Sequence, residues 1–550
     1  MSKAEPLTGL GVSAGIAVGP VARMAGRPEL PAPAPVSDVD GEVAAAAAAL
    51  DTVAKDLTGR ADGAAADAAA ILEAQSLMAA DPALADSVAE LIRAGSDAAH
   101  ALTEAFETYR EMLAGAGGYL AERVADLDDV RDRAVAAVLG RPMPGVPHPG
   151  FPYVLVADDL APADTVGLDP AAVLALVTER GSPTSHTAIL ARAQGIPAVV
   201  GVGAGPAIAD GTRVVLDAAS GVVIVDPSEA QLADARARIA ERATRAAAPI
   251  ADGALADGTR IALLANLGSP SEAAAAIALG AEGVGLFRTE FLFLGARTAP
   301  TVAEQQARYA ELLRQFPGKR VVVRVLDAGA DKPLEFLRHA HEENPALGLR
   351  GLRALRAAPQ VLADQLQALK NAADETDAEL WVMAPMVADS AETEYFVEAG
   401  RTAGLNTVGV MAEIPSLALV ADQVVRLADF VSIGTNDLTQ YTLAADRTLG
   451  AAAAYQDPWH PAVLRLVKML GDAGAAAGKP VGICGEAASD PRLAVVLVGL
   501  GATSLSMAPV ALADVRAELA GATLERARAK AVAALAADSA DGARAAAAAV

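Results

Sequence analysis

Eight short apolar segments follow one another through the C-terminal half of the chain: RIALLANL, GVGLF, RVVVRVLD, LWVMAPMV, TVGVMAEI, FVSIGTN, PVGICGE and TSLSMAP. Each is separated from the next by a mostly helical connection. Runs of Val, Ile, Leu and Ala without strict polar alternation suit strands covered on both faces, as in parallel sheets. Strands alternating with helices at this rhythm leave few architectures, and eight repeats over about 300 residues predict a closed TIM (β/α)8 barrel.

Upstream the rhythm differs. Residues 1–24 alternate Gly with Val, Ile and Leu and read as one or two short strands. Two Pro-rich connections, PELPAPAPV and RPMPGVPHPGFP, bracket a long Ala-rich helical stretch. After it come short Val-rich strands (YVLVAD, VLALVT, AVVGV, RVVLDA, GVVIVD) with brief helices between them. The expectation is an α/β multidomain chain: an α/β domain of residues 1–27 and 148–227, a helical subdomain of 28–147 inserted into it, a linker helix at 228–249 and the barrel over 250–550. The segment Leu493 to Ala513 is the longest uncharged stretch and long enough to suggest a membrane span. Gly499, Gly501, Thr503, Ser504, Ser506 and Pro509 interrupt it, so it reads as a buried helix followed by a buried strand. The Ala/Arg-rich tail after Thr523 reads as helical or frayed.

Composition removes several classes of function. Lys+Arg 44 against Asp+Glu 68 leaves a net charge of −24, which argues against a surface that tracks nucleic-acid phosphates. Anionic small substrates stay open wherever arginines concentrate. One Cys in 550 residues permits no internal disulfide and no Cys-rich zinc site, which suits a cytoplasmic protein, and no export signal is read at the N-terminus.

Catalytic residues of such barrels stand at the C-terminal ends of the strands. Here those ends carry Arg288 and Glu290, Arg324 and Asp327, Glu413, Asn436 and Asp437, and Cys484 and Glu486, with Arg350 and Arg447 in connections on the same side. Glu413 and Asp437 offer hard oxygen ligands from consecutive strand ends, and a site that leaves positions for substrate oxygens favours Mg²⁺. Arginines around that pair supply the planar donors that phosphate and carboxylate prefer. Any single arginine could be an ordinary surface ion pair; together they predict a small, highly anionic substrate. Cys484 could be a buried small hydrophobe, or a thiol that exchanges a proton with an enolate carbon.

The segment RGSPTSHTAILARAQGIP sets His186 after a Gly/Ser/Pro/Thr loop and before a helix-forming run. A ring at a helix N-terminus lies near free backbone N–H groups that would stabilise a phosphoryl group carried on it, and Thr184 or Thr187 could orient it. A capping or structural histidine is the competing reading.

These strings resemble enzyme I of the bacterial sugar phosphotransferase system, the phosphoenolpyruvate–protein phosphotransferase family. The matches are SPTSHTAILAR, VGLFRTEFLF, VRVLDAGADKP, EENPALGLRGLR, SIGTNDLTQYTLAADR and GICGEAASD in family order, with ILEAQSLMAADP and ERVADLDDVRDR in the helical insert. The resemblance implies that His186 is phosphorylated on Nε2, that Glu413 and Asp437 bind Mg²⁺, and that Arg288, Arg324, Asn436, Asp437 and Arg447 bind phosphoenolpyruvate with Arg350 nearby. It further implies that Cys484 is the proton donor, that the α/β domain carrying His186 swivels, and that the helical insert docks the phosphocarrier protein HPr. Members are homodimers through the barrel. Pro183 stands where many members have Arg, and Ala330 where Gly is common. A dikinase or synthase of the same superfamily would need a nucleotide-binding domain, for which the mostly helical N-terminal stretch has no Gly-rich phosphate loop. A non-catalytic phosphoenolpyruvate sensor would not need His186, Cys484 and both carboxylates.

Overall fold

The computed structural model describes residues 6–550 except 14, 27, 62–65, 117–123, 148, 159, 161–167, 170, 182–185, 204–207, 247–249, 294–295, 297, 330–333, 335, 338–341, 448, 450–451 and 453–454. It divides into two compact units, Met1–Ile239 and Ala240–Val550.

In the first unit the strands are β1 (Leu7–Thr8), β2 (Leu10–Ser13), β3 (Ile16–Arg23), β4 (Tyr153–Ala157), β5 (Val173–Thr178), β6 (Ala198–Val200), β7 (Arg213–Asp217) and β8 (Val222–Val225). They form one mixed sheet in the order β1-β8-β7-β3-β4-β5-β6-β2. Strand parity decides which side chain meets which layer. Tyr153, Leu155 and Ala157 face one core with Ala188 and Ala191, whereas Val154 and Val156 face another with Val214 and Leu216.

The N-terminal stretch forms three strands among the described residues, one more than its pattern predicts, and they go to different places. β1 pairs with β8, β2 with β6, and β3 lies between β7 and β4. The backbones crowd where β1 gives way to β2: a Cβ on Gly11 would lie 1.7 Å from the carbonyl oxygen of Ala218, and one on Gly9 2.6 Å from that of Val200. The expected strand–helix alternation is only partly realised, because β7 and β8 join directly as an antiparallel hairpin turning at Gly221, φ +66°.

β3 and β4 pair directly, Val21 opposite Val154, so the long stretch between them is an insertion at one sheet position. It contains helices Val39–Ala61, Ala66–Ala79, Pro82–Arg93, Ala98–Ala116 and Val124–Val138. Asp81 caps Pro82–Arg93 by accepting from Ala83 N, with Pro82 in the first turn. Leu50, Val53, Leu57, Leu84, Ile92, Leu102 and Phe106 fill its core. Helix Glu229–Ala246 follows β8, and its Leu232 and Ala235 pack on Val215.

The second unit is a closed parallel barrel of β9 (Ala262–Leu267), β10 (Val284–Arg288), β11 (Arg320–Arg324), β12 (Glu379–Ala384), β13 (Val408–Ala412), β14 (Val431–Gly434), β15 (Val481–Cys484) and β16 (Ser504–Met507), with β16 returning to β9. Each of the eight coincides with a predicted segment; β10 runs one residue past its segment, to Arg288, and β12 starts one residue before its own, at Glu379. Outward residues such as Val323, Val382, Val410, Ile433 and Ile483 join the core shared with the helices. Inward ones, Val322, Met383, Met411 and Cys484, fill the barrel.

The uncharged stretch resolves into helix Pro491–Gly499 and β16, and among the described residues no helix is long and apolar enough to cross a membrane. The tail is packed rather than frayed. Thr523 and Ser539 cap helices Leu524–Leu535 and Ala540–Ala549, and Ala527, Ala531, Ala534, Ala543 and Ala547 are buried. Small side chains permit that approach: a Cβ on Gly499 would lie 2.1 Å from Ala527 O.

Candidate active site

The barrel delivers the charged residues to one end because each closes or directly follows a strand. Arg288, Arg324 and Cys484 are the last residues of β10, β11 and β15. Glu413 follows β13, and Asn436 and Asp437 lie in the first turn of helix Thr435–Leu443 after β14.

Arg350, placed by sequence only near this face, enters the cluster. Its guanidinium is 3% exposed, pairs with Asp327 through Nη2 at 2.9 Å and through Nε at 3.4 Å, and reaches Asp437 through Nη1 at 3.4 Å. Nη1 also donates to Tyr441 OH at 3.4 Å. Arg324 pairs with Glu290 and, at 3.2 Å, with Asp327. Burial opposes both charges, but the surrounding carboxylates outweigh it and hold both guanidiniums protonated above their usual range. Arg447 stands 3.9 Å from Asp437. Arg288 is exposed, and among the described residues no carboxylate pairs with it. The arginines therefore differ in what is left for an anion: Arg324 and Arg350 are buried and committed to carboxylates, while Arg288 is exposed.

Glu413 is buried, with Oε1 accepting from Met386 N at 2.7 Å. Burial and then the charges of Asp437 and Asp327 push its carboxyl up to about 8. Buried carboxylates that repel one another are the donor set a hard divalent cation relieves, so the pair fits Mg²⁺. Among the described residues no three His, Cys, Asp or Glu side chains converge into a metal cage.

Asn436 is held by its Oδ1, which accepts from Glu486 N at 3.0 Å. Gly485 makes that approach possible: at φ +152° a Cβ there would lie 2.2 Å from Thr435 Oγ1. Cys484 is 2% exposed, and its sulfur accepts from Ser432 Oγ at 3.1 Å. Burial pushes the thiol up to about 11, so it is a protonated thiol at neutral pH.

Supporting residues that sequence reading missed are Gln365, Met386, Tyr441 and Ser432. Gln365 is buried, donates to Thr289 Oγ1 at 3.2 Å and Tyr309 OH at 2.9 Å, and accepts from Leu326 N at 2.9 Å, tying the ends of β10 and β11 together. Met386 aims its N–H at Glu413 from a left-handed backbone, φ +57°, which no local motif announces.

In the first unit His186 opens helix His186–Gln194, as its context predicts, with Thr187 and Ala188 buried behind it. The imidazole itself, Pro183, Thr184 and the neighbouring Ser182 and Ser185 lie outside the described residues, as does Ala330.

Three family profiles match in chain order. They are "PEP-utilising enzyme, N-terminal" over residues 8–123, "PEP-utilising enzyme, mobile domain" over 151–221 and "PEP-utilising enzyme, PEP-binding domain" over 242–524. The chain is 54% identical to a phosphoenolpyruvate-protein phosphotransferase of Streptomyces coelicolor, covering 99% of each. It is 36% identical to the protein of that name from Bacillus subtilis, covering 94% of each. A multiphosphoryl transfer protein of Xanthomonas campestris is 40% identical, and there the match takes in 95% of this chain and 64% of the relative. With profiles that account for both units and a relative matched end to end, the chain belongs to the phosphoenolpyruvate-protein phosphotransferase family of PEP-utilising enzymes.

Proposed function

We propose that this enzyme takes the phosphoryl group of phosphoenolpyruvate onto His186, releases pyruvate, and passes the group to a histidine of the phosphocarrier protein HPr. The observation that carries the reading is the convergence of Arg288, Arg324, Arg350, Arg447, Glu413 and Asp437 on the rim of the barrel, within the stretch matched by the PEP-binding profile. An acidic protein has little other reason to gather so many guanidiniums at one strand-end face.

In this reading Arg288 and Arg447 meet the phosphate and Asn436 offers its amide to the substrate. Arg324 and Arg350 hold Asp327, Glu290 and Asp437 in place while adding positive field. Glu413 and Asp437 would hold Mg²⁺, which supplies charge neutralisation for the phosphate and the developing enolate. The neutral imidazole of His186 attacks phosphorus in line, aided mainly by positioning and electrostatics. The enolate is then protonated at carbon by the Cys484 thiol, whose high proton affinity keeps it charged with a proton at neutral pH. His186 belongs to the mobile-domain stretch, so the proposal includes a swivel of the α/β domain (1–27 and 148–227) on the 228–249 linker. HPr docks on the 28–147 helices, and the barrel (250–550) joins a homodimer in the cytoplasm. Incubation with ³²P-labelled phosphoenolpyruvate tests the reading: label on His186 that moves to added HPr, with stoichiometric pyruvate, is expected. Label on any other residue, or none, would reject it.

A further inference from the structure

Below the rim, one side of the barrel interior is polar. Ser432, Gly482 and Ser504 lie side by side across β14, β15 and β16, and Cys484 pairs with Ser506 one inward step further along. The inner wall also carries an apolar cluster of Leu286, Val322, Met383, Met411 and Phe430. Against the polar side lies a cavity with about 20 Å³ open to the centre of a water molecule, lined by Ser432, Gly482, Ser504, Ser506, Arg320 and Trp381 among others. That space holds about one water, and three serine hydroxyls give it the partners it needs. The serines are buried, but Arg320, Trp381 and Gly482 are partly exposed and stand at or near the starts of their strands. The cavity therefore faces the N-terminal end of the barrel, opposite the rim.

A thiol that gives its proton to carbon is left as a thiolate in a buried pocket. It must be reprotonated before the next turnover, while the rim side holds product. Ser432 Oγ already donates to Cys484 Sγ, the direction such a delivery requires, and its own layer borders the cavity. We infer that Ser432 and a water in the cavity behind it return the proton to Cys484 from the N-terminal end of the barrel. The Sγ–H bond breaks as the C–H bond forms on the enolate, and the electron pair stays on sulfur. The thiolate then takes the hydroxyl proton of Ser432, Ser432 takes one from the water, and solvent replaces that. Ser432 is a positioning and relay residue, and its assignment rests on the reading of Cys484 as the carbon acid.

The test is rapid-quench kinetics of the full chain with phosphoenolpyruvate, Mg²⁺ and HPr, assaying keto-pyruvate turnover by turnover. In Ser432→Ala the first turnover uses the proton stored on sulfur and forms one equivalent of pyruvate within about twofold of the wild-type rate, whereas later turnovers slow by at least about tenfold. Ser432→Thr restores the later turnovers. Gly482→Ala places a methyl 2.8 Å from Ser504 Oγ, narrowing the cavity without altering either partner of the sulfur contact, and gives the same burst. A purely structural role for Ser432 would depress first and later turnovers alike. Equal loss in both phases, or no loss in either, overturns the relay. Undiminished first-turnover pyruvate in Cys484→Ala instead overturns the acid assignment, and the relay with it.

Discussion

Replacing Cys484 by alanine separates the two bonds that this reaction changes. Phosphorus is handled by the arginines and carboxylates of the rim, none of which hydrogen-bonds to the thiol among the described residues; carbon is handled by the thiol. The loss of Cys484 should therefore leave label transfer to His186 within about twofold of wild type in a single turnover, while enzyme-bound protonation of the enolate falls by about 10²–10⁴. The reverse reaction, which removes a proton from the pyruvate methyl, should fall by a similar factor. The structure also sets the reactivity of the wild-type thiol. With its proton affinity raised to about 11, the thiolate fraction at pH 7.5 is about 3 × 10⁻⁴, against about 9% for an ordinary cysteine of pKa ≈ 8.5. Since a more basic thiolate is also the stronger nucleophile, iodoacetamide should modify Cys484 at least about tenfold more slowly than a free thiol, even before burial limits access. The assays are quenched-flow labelling, keto-pyruvate formation and alkylation followed by mass spectrometry. Equal loss of label transfer and pyruvate formation in Cys484→Ala would show that the residue supports packing rather than carbon chemistry. Rapid alkylation at pH 7.5 would show that its environment is not the closed one described.

Three further outcomes are expected. Glu413 is displaced upward to about 8 in the folded chain, so the folded state binds the extra proton; metal-free stability should fall as pH rises from about 4.5 to 8, and Mg²⁺ should offset that fall. Urea denaturation of wild type and Glu413→Gln at pH 6 and pH 9, with and without Mg²⁺, checks this, and an unchanged pH slope in the variant would refute it. Arg350→Met leaves Asp327 and Asp437 short of a buried partner and should cost about 3–5 kcal/mol, whereas exposed Arg288→Ala should stay within about 0.5 kcal/mol of wild-type stability while weakening phosphoenolpyruvate binding, as denaturation and ligand titration would show. His186→Ala should abolish labelling by phosphoenolpyruvate without lowering the melting temperature, and the wild-type label should be acid-labile and base-stable, as a phosphoramidate is; an acid-stable adduct would point to a hydroxyl instead.

Much of the architecture was legible because it depends on short-range patterns. Each barrel strand is an apolar run bounded by breaks, and eight such runs joined by helices have essentially one closed arrangement. The start of the helix at His186 was legible for the same reason, since the breaking loop and the helix-forming run adjoin. The tail was underestimated: its alanines looked featureless, yet their small size is what allows them to pack against Gly499. The three N-terminal strands were harder, because the pattern marks strands but not which neighbours they take.

Residue type and strand-end position alone determined that arginines and carboxylates gather at one face of a barrel, and that one cysteine stands among them. Only the tertiary structure decided their division of labour. Burial commits Arg324 and Arg350 to Glu290, Asp327 and Asp437, while Arg288 is left exposed. Met386 and Gln365 became part of the site only when distant strands met, 27 residues from Glu413 in one case and 76 from Thr289 in the other. The reason is physical: periodicity reports which face of an element is apolar, but charge pairing, proton affinity and cavities depend on distances between elements, which are set only when the barrel closes.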